Sequence, residues 1–262
     1  GRARMMPRIE ALLDRLIGHG FIQDEGGLLQ LTMLGRACGE SPLSLESSLR
    51  AVEVVRAIPR ELATVENLLV LSEALPERDA DYTPQVRGGG EAQWRQTAEL
   101  RFGREISQRL RHAAPSDRVY YGRSKRALIV RDWIEGVPTV DIEARYSANA
   151  FSRVAYGDVA GYADGTRFIL ESVLRVAALI HEVAYDTDQT DLIYKRLEIG
   201  LPAPMLALVH RQVPLSRGEM LQFWRAGVTT LAQMAVMPRE DCQRIVGLRA
   251  PALQASAARA GQ

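Results

Sequence analysis

The sequence is short of the residues that most often carry chemistry. It holds two cysteines, Cys38 and Cys242, and four histidines in 262 residues. Two thiols cannot build a disulfide framework, so a reducing, cytoplasmic setting is expected. His181-Glu182 opens like a zinc-protease helix, but Tyr185 stands where the second histidine is needed, and the other histidines (19, 112 and 210) are scattered. Neither Cys-x-x-Cys nor Gly-x-Ser-x-Gly occurs. No metal site and no nucleophile are expected.

Lysine is scarcer still: Lys125 and Lys195, against 31 arginines. A phosphate-binding P-loop ends in Gly-Lys-Ser/Thr, so that backbone N–H groups and the ammonium cradle the β- and γ-phosphates. Lys125 follows Ser124 and Lys195 follows Tyr194, so P-loop nucleotide hydrolysis by this chain is excluded. Gly88-Gly89-Gly90 leads into Glu91 without a lysine and reads as a connector. No apolar run approaches the ~20 residues that span a bilayer, and no signal-peptide pattern opens the chain, so no membrane partner is expected.

What is present is ordinary globular material, 47% apolar and 25% charged. The net charge of +1 hides an uneven distribution: −4 over 1–94, +7 over 95–131, −6 over 132–198 and +4 over 199–262. Two basic zones between acidic ones suggest a polyanion touched at two places. The plainer alternative is chance variation on solvated faces.

Hydrophobic spacing makes 5–21 helical, stopped by Gly18 and Gly20, with a small hairpin over 21–32 turning at 24–27. An isolated hairpin is marginal, so this one should lean on its neighbours. Helix, glycine stop and hairpin suggest the last helix and wing of a winged helix over 1–40, whose preceding helices are expected upstream. From 41 to 200 amphipathic segments (44–58, 61–75, 91–113, 123–136, 139–146 and 157–184), punctuated by proline and glycine, describe a helical bundle. The fold class is therefore mainly α.

The segment 157–184 carries a seam of Val159, Tyr162, Thr166, Ile169, Val173, Val176, Ile180 and Val183, about seven turns long, which belongs at the bundle centre. A second line, Gly161, Phe168 and Arg175, runs at seven-residue spacing away from that seam. Gly165 and Ser172 flank Phe168, leaving room for a flat ligand; the alternative is that Phe168 packs on another helix. Over 201–262 two helix–turn–helix units recur, with Arg217 and Arg249 in their turns. Such helix-hairpin-helix modules present turn amides to a phosphate. Both turns lack the full Gly-x-Gly pattern.

The run 125–138, from Lys125-Arg126-Ala127-Leu128-Ile129-Val130 through Trp133-Ile134 to Val137-Pro138, followed by Ile142 and Tyr146, resembles a segment of Ski-two-like superfamily 2 helicases, and most of all the HelQ-type DNA repair helicases. Gly157-Asp158 is similar to the opening of their ratchet helix, 31–35 to their winged-helix end, and Leu201-Pro202 with the tail to their helix-hairpin-helix domain. The resemblance implies a parent enzyme that is an ATP- and Mg-dependent 3′–5′ DNA helicase with RecA-like motor domains outside this chain. It implies single-stranded or forked DNA as the partner, RNA being the alternative. In that family the ratchet helix touches the strand with an Arg and, seven residues on, a stacking Trp; here these positions are Gly161 and Phe168. The aromatic is kept and the Arg is lost. Arg167 and Tyr162 are nearby candidates to compensate, although Tyr162 lies on the seam, and Trp133 reads as core.

The expected strand contacts are Phe168, Arg167 and Arg175 on the ratchet helix, Arg123, Lys125 and Arg126 in the basic zone, and Arg217 and Arg249 in the tail. Two other readings stay open: a non-catalytic protein-interaction or regulatory module, and a stand-alone winged-helix regulator or hairpin-type glycosylase.

Overall fold

The computed structural model describes residues 2–85 and 91–260, so the triple-glycine connector lies outside the described residues. The chain is mainly α, with one two-stranded sheet among the described residues. Helix α1 (Arg2–Gly18) runs into an antiparallel hairpin, β1 (Ile22–Glu25) and β2 (Leu28–Leu31), in which Ile22 faces Leu31. The hairpin leans less than expected: Ile22 is half-buried, but Leu28, Leu29 and Leu31 stay exposed. Residues 33–35, read as the end of a wing, instead begin helix α2 (Met33–Gly39). Thr32 decides this, its hydroxyl accepting from Gly35 N–H at 3.0 Å and donating to Gly20 O at 2.6 Å.

Helix α3 (Leu45–Arg56) starts at the Ser44 cap. The single helix expected over 61–75 is broken into a 3₁₀ turn, α4 (Val65–Leu71) and a second 3₁₀ turn, because Thr64 caps a new start by accepting from Asn67 N–H. The helix expected over 91–113 divides into α5 (Gln93–Phe102) and α6 (Arg104–His112) at Gly103, whose φ of +83° no helix accommodates. Ser116 caps α7 (Asp117–Ile134), which therefore begins earlier than the apolar pattern alone indicates. Helix α8 (Thr139–Tyr146) follows a turn at Gly136, and α9 (Tyr156–His181) is the longest helix described.

Helix α9 packs against α2, α3, α4, α7 and the next helix, α10 (Thr187–Ile199), which the periodicity left unassigned. Its seam is buried from Val159 through Val176. It stops at His181 because Glu182 turns left-handed (φ 51°), so Val183 lies beyond the helix.

Among the described residues, buried apolar side chains form two clusters, one from Phe21 to Leu197 and one from Leu201 to Ala257. The second is built from α11 (Arg217–Arg225), α12 (Leu231–Val236), α13 (Arg239–Val246) and α14 (Ala250–Ala260), after a 3₁₀ segment at Ala203–Leu208. Trp133 joins the two: its indole N–H donates to Leu197 O at 2.8 Å, and a Cβ on Gly200 (φ +74°) would fall 2.2 Å from its ring. Among the described residues no helix is long and apolar enough to cross a membrane.

Candidate nucleic-acid interface

Helix α7 holds the surprise. Arg123, Lys125 and Arg126, expected as a strand-binding surface, are 2%, 1% and 3% exposed. They are interior side chains, not a strand-binding surface. Arg123 donates to both Asp79 carboxylate oxygens, at 2.9 and 2.7 Å, and to Ala113 O. Lys125 donates to Pro84 O, pairs with Glu91 at 3.5 Å and lies 5.3 Å from the Trp94 ring centre. Burial pulls its ammonium below the usual lysine range despite Glu91. Arg126 donates to Glu73 Oε2 at 2.7 Å, and Arg78 donates to Glu73 Oε1 at 2.9 Å. Burial alone would raise the Glu73 carboxyl, but attraction to Arg78 and Arg126 outweighs it and holds the group below the carboxylate range.

A sequence signal for this existed. Residues 127–130 are four consecutive apolar positions, and a helix apolar on all sides is buried, its neighbouring charges with it. Other arginines of the basic zone meet carboxylates: Arg95 with Glu99, Arg101 with Glu135, Arg109 with Glu105, Arg111 with Asp117 and Arg131 with Glu135.

The outer face of α9 is different. Phe168 is 63% exposed, and a Cβ on Gly161, one heptad earlier, would meet nothing within 4 Å. The flanking positions do not provide the room read into them. Gly165 faces inward, where its missing Cβ makes space for the Arg78 guanidinium (1.9 Å to Nη1), and Ser172 is buried. Arg167 is held by Asp164 at 3.7 Å and Glu198 at 3.5 Å, and Arg175 by Glu171 at 2.8 Å. These are exposed pairs, weak enough for a phosphate to displace. Tyr162 is core, with its hydroxyl donating to Tyr82 O.

In the tail, Arg217 is likewise not the exposed strand contact that was expected. It sits at the first position of α11 behind the Ser216 cap, but its guanidinium turns inward. It donates to Gly200 O at 2.7 Å and Val137 O at 2.8 Å and lies 4.1 Å from the Trp133 ring centre. Burial lowers it to about 10. It therefore fastens the tail to the bundle. Arg249 remains half exposed but is engaged by Glu219 and donates to Pro214 O. Motif reading passed over other cations, including Arg211, Arg225 and Arg239 in the tail, which are exposed and make no ion pair among the described residues. Arg225 edges a groove of about 560 Å³ shared with Thr139, Tyr156 and Gly218.

Among the described residues no group of three or more His, Cys, Asp or Glu side chains is placed to hold a metal. No protein-family model and no curated protein matches the sequence.

Proposed function

We propose that this chain is the strand-guiding accessory region of a 3′–5′ DNA helicase of the Ski-two-like kind, working in the cytoplasm beside RecA-like motor domains that bind ATP and Mg. In this reading 1–40 is the end of a winged helix, 41–200 the ratchet bundle and 201–262 the helix-hairpin-helix domain. One observation carries it. Helix α9 buries its seam from Val159 through Val176 yet leaves a large aromatic ring in solvent, at the heptad position where a stacking residue is wanted. Arg167, Arg175 and the exposed tail arginines, Arg249 and Arg225 among them, would supply phosphate contacts.

The test pairs strand binding with thermal stability. Phe168→Ala should weaken binding of single-stranded DNA by about 1–3 kcal/mol, the worth of a stacked base. Melting should barely move, since surface truncations stay within about 0.5 kcal/mol. A large fall in melting temperature with binding intact would overturn the reading. The alternative of a protein-interaction module draws on a specific observation, the balanced carboxylate–arginine pairs along the α9 face. It gains if the chain binds no single strand at any salt concentration.

A further inference from the structure

The turn between α8 and α9 is built for display. Its ends are anchored by Tyr146 and Val154, both fully buried. Between them Ala148 N–H donates to Ser152 O at 2.8 Å, and Val154 N–H donates to Ser147 Oγ at 3.0 Å. The Asn149 side-chain carbonyl accepts from the N–H groups of both Phe151 and Ser152, each at 2.9 Å. These bonds fix the backbone on either side of Phe151, whose side chain is 100% exposed. A ring held fully in water adds nothing to a core, and its hydration is unfavourable. Tyr82 stands alongside, its hydroxyl 3.3 Å from Ser152 Oγ and its ring largely exposed. Arg153, next in the chain, is exposed and makes no ion pair among the described residues.

We infer that this turn is a second strand-contact site, in which Phe151 stacks on a base of single-stranded nucleic acid and Arg153 meets a neighbouring phosphate. The inference rests on the reading of α9 as a strand-binding helix and adds a contact at its N-terminal approach. Three features favour a nucleic-acid base over a protein pocket. The backbone is held rigid, so little conformational entropy is lost on stacking. An uncompensated cation lies two residues from the ring. The immediate neighbours, Asn149, Ala150, Ser152 and Arg153, are small or polar, whereas an anchor for a protein pocket sits at the centre of a dry apolar patch.

The experiment is a fluorescence-anisotropy titration of labelled oligothymidylate at low salt with the full chain and its variants. Phe151→Ala should weaken binding about fivefold or more, the lower end of what a stacked base contributes, with melting unchanged. Arg153→Ala should weaken it too and reduce its salt dependence. Phe151→Trp should retain affinity, its added fluorescence quenched by the strand. If Phe168→Ala weakens binding while Phe151→Ala and Arg153→Ala stay within about twofold of the parent chain, the turn is no strand contact and the α9 reading stands. If the unmodified chain binds no strand, both fall together.

Discussion

Glu73→Gln tests the buried charge cluster beneath α9. Glu73 is 1% exposed and lies between Arg78 and Arg126, 4% and 3% exposed at their side chains, with N···O distances of 2.9 and 2.7 Å. Thr166 Oγ1 on α9 reaches the same carboxylate at 3.4 Å. Among the described residues, removing the charge leaves Arg78 with only Asp81 and Arg126 with only Asp79, at 3.9 Å, as carboxylate partners, a loss of about 3–5 kcal/mol for breaking a buried pair. For a chain of this size that corresponds to roughly 6–20 °C in melting temperature. The sign of the pH dependence follows from the lowered carboxyl. Between the folded value and the unfolded value near ~4.3, the unfolded chain binds more protons, so stability rises with pH. This stabilisation is complete above the unfolded value and is lost as acid carries the pH through the folded one. Thermal melts of parent and variant should therefore differ most at neutral pH and converge in acid. A variant that melts with the parent at neutral pH, or a gap that does not change with acid, would refute the reasoning.

Arg217→Ala should destabilise the chain by about 2–4 kcal/mol, since it strips hydrogen bonds from partly buried carbonyls and removes a cation over the Trp133 ring. Limited proteolysis should then cut near 199–203 sooner than in the parent chain. Gly200→Ala should cost at least about 2 kcal/mol, combining a left-handed φ with a Cβ driven into the Trp133 ring. Chemical denaturation would show it as a lower midpoint, and a neutral result would mean that the Trp133 packing yields.

Much of the fold was legible in the residues. The three-and-four spacing of Val159, Tyr162, Thr166 and Ile169 identified the buried side of α9, although the helix ends at His181, short of the expected 184. The same geometry put Phe168 on the outer side, because a helix fixes angular position from sequence separation alone. Thr64 and Ser116, by contrast, act as caps that a search for hydrophobic period passes over, and each moved a boundary.

The candidate interface was legible only in part. The exposure of Phe168 followed from local periodicity, whereas the fate of Arg123, Lys125 and Arg126 depended on partners far away in the chain. Glu73 is 53 residues from Arg126, and Asp79 is 44 from Arg123. The apolar run 127–130 marks this part of α7 as buried, but an arginine keeps its charge almost everywhere, so its own neighbourhood does not say which distant carboxylate takes it up. The sequence by itself determined the mainly helical character, the buried side of α9 and the absence of a phosphate loop, since each depends on residue identity and short-range spacing. Tertiary structure decided which cations remain at the surface, why Gly165 must lack a side chain and how Arg217 fastens the tail. Those outcomes require distant segments to converge around the same few atoms.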